Sequence, residues 1–269
     1  MAALRRCNIC LQRKPMTEDH IFPKSIAVPQ QRQVTEILKH IKNKNGKPHS
    51  RLFQNGLFKK TLCSDCNNRL LGSILDPALE DICKKISNEL RNVRFLMSPN
   101  ILATDVQLNK ISRSVAGHFL AASDTAQWRH PLSRALRRYV LNFDQIFPEQ
   151  YRFQMWLYPF KQQALLKDLF HTVFGSGYDP FCISAYKTFP LAFSFSDPIL
   201  NPAYKIDGIL DVSAFLNGQL DRKANIRLRA GVIVDPNWPY APHKNGAILS
   251  SDNGSIHSKP YMKIKPYPY

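Results

Sequence analysis

Apolar residues recur at three- and four-residue steps from Asp76 onward: Leu79, Ile82, Cys83, Ile86, Leu90 and Val93 form one stripe. That is the period of a helix laid on a core, so a helix is expected there, with Asp76 as its N-cap and Pro77 at the first helical position. Cys83 is then a core residue. A second helix is expected from Thr104, where Gln107 completes a capping box and Val106, Ile111, Val115, Phe119 and Ala122 supply the buried face. His118 lies beside that face and reads as a core or boundary residue. A third helix is expected from about Leu132 to Phe143, with Arg134, Arg137 and Arg138 on a face that suits phosphates and solvent equally well.

After Pro148 the texture is mixed. Tyr151–Tyr158, Cys182–Ser196, Ile206–Leu216 and Ile226–Val234 read as strands and Lys161–Phe174 as a helix. The last thirty residues are rich in Pro, Gly, Asn, Ser and Tyr with Lys259, Lys263 and Lys265 interleaved. They predict loops or a docked tail, from which Tyr261, Tyr267 or Tyr269 could stack on bases. Nearer the start, Arg51–Phe53 and Leu57–Leu62 flank Gln54, Asn55 and Gly56. Asn-Gly between such runs predicts a type I′ hairpin that delivers Cys63 at its end.

Composition narrows the class. With 44% hydrophobic and 11% aromatic residues over 269 positions, the chain can bury a real core, and its length suits two domains. No run of about 18 apolar residues is present to span a bilayer, and Met-Ala-Ala-Leu-Arg-Arg leads to Cys7 without an apolar signal core, so a cytoplasmic protein with no membrane partner is expected. Lys and Arg outnumber Asp and Glu by 37 to 20, a net charge of +17. Such an excess favours a polyanion through phosphate neutralisation, DNA first, most simply double-stranded. Residues 1–76 carry 14 Lys/Arg against 5 Asp/Glu, net +9, so the basic density lies near the cysteines. Between Pro29 and Ser50, Lys39, His40, Lys42, Lys44, Lys47 and His49 crowd an Asn-Gly step. This stretch reads as an exposed loop or short helix able to touch a phosphate backbone. Lys24, Lys42, Lys44, Lys47 and Arg69 are the candidate phosphate contacts.

Four of the six cysteines fall in two identical pairs, Cys7-Asn-Ile-Cys10 and Cys63-Ser-Asp-Cys66. A Cys-x-x-Cys turn brings both sulfurs to one side of a loop, and two such pairs make a tetrahedral four-thiolate site for structural Zn²⁺. The 52 residues between the pairs exceed the spacing of a common zinc ribbon, which suits a site closing around an inserted segment. With four thiolates no coordination position stays open, so this metal holds the fold and leaves chemistry elsewhere.

Between the pairs stands Met16-Thr-Glu-Asp-His-Ile-Phe-Pro-Lys-Ser25, and the second pair continues as Cys66-Asn-Asn-Arg-Leu-Leu-Gly-Ser-Ile-Leu-Asp76. Residues 7–76 thereby resemble the HNH endonuclease family, in the branch with Cys-x-x-Cys, an acidic residue before His, Ile-x-Pro-Lys-Ser, then Cys-x-x-Cys-Asn-Asn. The resemblance implies a ββα-metal finger with His20 as general base, Asp19 and Asn67 as ligands of a catalytic Mg²⁺ or Mn²⁺, and the helix after Cys66 as its α. Glu18 and Asp76 are further candidates for the metal shell. Many members brace the base with an Asn about five residues before the second pair. Phe58 stands at that position here, and Asn55 is the nearest substitute. The chemistry is coherent: phosphodiester hydrolysis needs a base for water and a cation for the leaving oxygen.

The expected architecture is α+β: a zinc-stapled ββα (HNH) nuclease module over 1–80, a helical connector over 81–147, and an α+β domain over 148–269 for target recognition or regulation. By analogy this is the plan of a restriction or phage-defence effector, and the sequence carries no signal for an oligomer or an activating partner. Two alternatives share these residues: a zinc-dependent nucleic-acid-binding protein without catalysis, and an RNA-cutting toxin on the same scaffold.

Overall fold

The computed structural model describes residues 4–27, 31–36, 50–92, 100–171, 181–197, 206–216, 219–242, 245–251 and 254–261. Two short strands, β1 (Arg5–Arg6) and β2 (Arg13–Lys14), pair across the first Cys-x-x-Cys turn. Strand β3 (Met16–His20) follows, then β4 (Arg32–Glu36), β5 (Ser50–Phe53) and β6 (Phe58–Cys63). After Cys63 the chain winds into α1 (Asp65–Leu75), a wide π-helical segment, and passes without a break into α2 (Asp76–Asn92). The expected stripe is there, with Leu79, Ile82, Cys83 and Ile86 buried. Asp76 is not its N-cap, because the helix has already begun at residue 65 and the carboxylate turns inward to other partners.

The Asn55-Gly56 step does not close a hairpin. β5 pairs with β4 while β6 pairs with β3, so the chain changes sheets there, through Gly56 at φ +77°. Asn-Gly supplies the left-handed backbone that a turn needs, and a left-handed residue serves equally to redirect the chain.

Strand β7 (Asn100–Val106) replaces the start of the helix expected from Thr104. It pairs with β13 (Ala224–Arg229) through a bulge where Asp105 sits at φ +55°. Helix α3 (Leu108–Ala122) begins only after it, and Gln107 makes no side-chain cap. All of α3 except Lys110 is buried, so this helix is a core element and not one face of a connector. Its polar groups are therefore paired inward. The Arg113 guanidinium donates to the carbonyls of Asn142, Phe143 and Gln145 at 2.8–3.0 Å and lies 3.9 Å from the centre of the Tyr139 ring. A Cβ on Gly117 would collide with Leu71, so glycine lets α1 and α3 approach. Helix α4 (Pro131–Leu141) completes the helical layer.

The large sheet has nine strands in the order β12-β8-β11-β10-β9-β14-β15-β4-β5. Its remaining members are β8 (Arg152–Leu157), β9 (Gln163–His171), β10 (Phe181–Thr188), β11 (Leu191–Ser196), β12 (Leu210–Asp211), β14 (Ala247–Ser251) and β15 (Gly254–Pro260). The pairs are antiparallel except β9 with β14. The helix expected over Lys161–Phe174 is the strand β9. Leu165 faces the main core, Ala164 and Leu166 face a second cluster with Ala185 and Ile248, and a strand covered on both faces loses its alternation. Of the strand expected over Ile206–Leu216 only Leu210–Asp211 pairs, followed by a 3-10 turn at Ser213–Leu216, and the strand expected to reach Val234 stops at Arg229.

The expected tail is corrected most. β14 and β15 lie inside the sheet, with Ala247, Ile248 and Leu249 buried between neighbours. β15 in turn pairs with β4, so strands from the first 80 residues and from the last thirty share one sheet across the boundaries expected near residues 80 and 148. Lys263, Lys265, Tyr267 and Tyr269 lie outside the described residues, as do Lys39, His40, Lys42, Lys44, Lys47 and His49. No described helix is long and apolar enough to cross a membrane.

Candidate functional site

The sulfurs of Cys7, Cys10, Cys63 and Cys66 all lie within 4.8 Å of one another, close enough to hold one metal ion such as zinc. A tetrahedron with Zn–S bonds of about 2.3 Å has edges of about 3.8 Å, and Cys10 Sγ and Cys63 Sγ are 3.8 Å apart. The first pair rides on a knuckle closed by Cys7 N–H to Gln12 O at 2.9 Å, with Leu11 in the left-handed region at φ +62°. The second pair spans the end of β6 and the first turn of α1, and Cys63 N–H donates to Cys7 Sγ at 3.4 Å. A hydrogen bond from the Cys66 thiol holds Cys7 down to about 4, while Cys66 is driven up, chiefly by that same bond and by burial, and burial pushes Cys10 up to about 11. Four thiols this close cannot all ionise without a cation among them.

The knuckle is tied to the helical core as well as to itself. Asn8 Nδ2 donates to Leu120 O at 2.9 Å and Ser123 O at 2.7 Å, and Thr61 Oγ1 donates to Ala121 O at 2.6 Å. These bonds cap the C-terminal carbonyls of α3, which its own N–H groups cannot reach. Arg137 Nε donates back to Asn8 O at 2.8 Å.

β3 and β6 pair antiparallel, Asp19 opposite Lys59 and His20 opposite Phe58, and α1 follows β6. His20 sits half-buried, with its Nε2 3.0 Å from Asn55 O. A carbonyl only accepts, so Nε2 carries the proton and the lone pair of the neutral ring is on Nδ1. Burial first and the Lys24 charge second hold His20 below the ordinary histidine range, which favours that neutral form. Asn55 thus meets the ring with its backbone carbonyl and not with its side chain. Phe58 packs beside it, ring centres 6.1 Å apart.

Asp19 takes the opposite side of β3 and is 3% exposed. Its Oδ2 has no hydrogen-bond partner, and burial pushes its carboxyl up to about 7 against the pull of His118. An orphaned buried carboxylate oxygen is what a bound cation would satisfy, so the residue fits a metal ligand. Asn67, on α1, donates from Nδ2 to Thr17 Oγ1 at 3.0 Å and Glu18 O at 2.9 Å. With both amide hydrogens given to β3, its Oδ1 is left for another partner. No hydrogen bond joins the side chains of Asp19, His20 and Asn67 to one another. Glu18 is exposed and paired with Lys60 at 3.2 Å. Lys24 is exposed beside His20, whereas Arg69 lines a shallow cleft next to Cys10 and Cys66.

Asp76 belongs to a buried set that the sequence did not signal as one. Its Oδ1 accepts from Ser114 Oγ at 2.6 Å and faces His118 Nε2 at 3.2 Å. Burial alone would raise this carboxyl and lower this imidazole; each other's charge overrides it, so Asp76 lies below its usual range and His118 above. The one trace in the sequence is His118 beside the apolar face formed by Val115, Phe119 and Ala122.

Asp19→Asn should therefore separate function from stability. The amide has the carboxylate's shape and no charge to desolvate, so thermal unfolding at pH 8 without Mg²⁺ should show about 1–3 kcal/mol of added stability. A lower melting temperature would mean that Asp19 is held by native contacts and is not an orphan. Comparison of the chain with protein families, with curated proteins and with solved structures finds no match in any of the three.

Proposed function

We propose that the chain is a metal-dependent endonuclease of the HNH type that hydrolyses DNA phosphodiester bonds. The observation that carries this reading is His20, its ring held by the Asn55 carbonyl, next in sequence to an Asp19 whose buried carboxylate oxygen lacks a partner. The four cysteines hold a structural Zn²⁺ that closes the finger. Asp19 and the Asn67 side-chain oxygen would hold a divalent ion, Mg²⁺ or Mn²⁺, which would supply positive charge for the leaving oxygen. His20 takes a proton from water at Nδ1, and Nε2–H stays on Asn55 O so that the ring does not rotate away. Lys24 adds a positive charge for the phosphate backbone beside His20. DNA is the substrate that the net charge of +17 favours, and residues beyond the finger select the target.

One observation favours a second reading. The Asp19 carboxylate lies on the interior side of β3, toward His118 and Asp76, where it can act as part of the core. The chain would then be a zinc-dependent nucleic-acid-binding protein that cuts nothing. Incubating the zinc-loaded chain with supercoiled plasmid, single-stranded DNA and RNA, each with Mg²⁺, Mn²⁺ or neither, tests both. Nicked or linear plasmid that appears only with the added divalent ion is expected. Intact plasmid under every condition overturns the nuclease, and degradation of RNA alone moves the activity to ribonuclease.

A further inference from the structure

An open groove of about 750 Å³ lies between the β1–β2 knuckle and the segment joining α3 to α4. Arg5, Arg6, Arg13, Trp128, Arg129 and His130 line it. Its one acidic side chain, Asp124, is already paired with Lys59 at 2.5 Å, so the groove carries uncompensated positive charge. Trp128 is 53% exposed, and the Arg129 guanidinium lies 4.3 Å from its ring centre, covering one face. Arg5 is a wall of the groove, its two terminal nitrogens donating to the carbonyls of Lys60 and Asp124. Arg6, Arg13 and Arg129 are exposed.

The loop that presents the indole is braced from below. Lys167, buried in β9, donates to Ser123 Oγ at 2.7 Å, to Ser133 Oγ at 3.0 Å and to Gln127 Oε1. Gln127 itself is held in the left-handed region at φ +33° directly before Trp128. A buried ammonium and an unfavourable backbone spent on one exposed tryptophan make a preorganised surface. Exposed aromatic faces among arginines are how proteins hold unpaired bases, while duplex DNA hides its base faces in the stack.

We propose that this groove binds a single-stranded nucleic-acid segment, one base stacked on Trp128 and flanking phosphates on Arg6, Arg13 and Arg129. This deepens the nuclease reading and rests on it only for the consequence. Thr61 of β6 also lines the groove, three residues from Phe58 opposite His20, so the same strand serves both places. With the nuclease reading, the substrate would be DNA that carries an unpaired stretch.

The test uses the full zinc-loaded chain without Mg²⁺, titrated with a fluorescein-labelled single-stranded oligonucleotide and with the same sequence as a duplex. Tighter binding of the single strand, with quenching of tryptophan fluorescence, is expected. Trp128→Ala should weaken the single strand by roughly tenfold or more and the duplex far less. The variant with Arg6, Arg13 and Arg129 all changed to alanine should weaken both and flatten the salt dependence. Unchanged single-strand affinity in Trp128→Ala, equal losses for both ligands in that same variant, or binding of an acidic peptide in preference to either overturns the proposal. Plasmid digestion is scored separately. Binding lost in these variants while wild-type protein cuts nothing leaves the groove standing without the nuclease, and unaltered binding beside active cleavage leaves the nuclease without the groove.

Discussion

His20→Ala is expected to lower Mg²⁺-dependent plasmid cleavage by about 100- to 10,000-fold, the usual share of a positioned general base. The geometry sets the reason. The ring lies at the end of β3, is held through Nε2 by Asn55 O at 3.0 Å, and bears no structural load beyond that bond and its packing on Phe58. Melting temperature and zinc content should therefore stay near wild type, and affinity for DNA measured without Mg²⁺ should stay within about twofold, well under the 1.4 kcal/mol of a tenfold change. The pH profile gives a second readout. Burial and Lys24 hold His20 below its usual range, so the rising limb assigned to it should lie below pH 6.5 and disappear in His20→Ala. A limb set by Asp19, whose carboxyl is pushed up to about 7, should instead lie near pH 7 at low Mg²⁺, persist in the residual activity of His20→Ala, and shift to lower pH as Mg²⁺ is raised, because a cation favours the ionised form. Full cleavage by His20→Ala would remove the base from the mechanism.

Cys66→Ser is expected to abolish stoichiometric zinc and to unfold much of the chain. Structural zinc contributes about 10–16 kcal/mol in small four-ligand sites, against a total of about 5–15 kcal/mol for a typical domain. Here the loss spreads beyond the finger. Asn8 and Thr61 cap α3 through the carbonyls of Leu120, Ala121 and Ser123, and the knuckle holds Asn8 in place. A freed knuckle leaves the end of the core helix uncapped in a buried position, at about 1–3 kcal/mol for each group left without a partner. Elemental analysis, thermal melts and limited proteolysis should show metal loss, a melting temperature lowered by more than 10 °C on the order expected for several kcal/mol, and new cleavage within residues 5–66. Cys83→Ser is the control: that thiol is 3% exposed in the core, so zinc should stay at one per chain while stability falls modestly. Wild-type melting of a metal-free Cys66→Ser would mean the four sulfurs do not staple the fold.

Local order along the chain was legible where one face of an element is buried and the other is wet. The stripe Leu79, Ile82, Cys83 and Ile86 is a helix in sequence and in space, the strand expected at 151–158 is there at 152–157, and the two cysteine pairs converge as expected. The single strand expected over 182–196 is instead the antiparallel pair β10 and β11, with β11 buried at every position. The same reasoning fails where both faces are covered. β9 lost its alternation between two cores, and β14 had only Ala247, Ile248 and Leu249 to mark it inside a polar, Pro-rich stretch.

What the order of residues determined by itself is chemistry carried by short spacings: which two sulfurs share each Cys-x-x-Cys turn, where an acid and an imidazole sit side by side, where the basic charge gathers. Those are effects within one or two turns of backbone, and nearest neighbours dictate them. Only the folded chain decided that Asp76 turns from helix cap to partner of His118, that Asn55 meets His20 through its carbonyl, and that the last strands lie beside β4. Each of these joins residues 35 to more than 200 positions apart, and such contacts follow from which surfaces remain to be buried once every local element has formed.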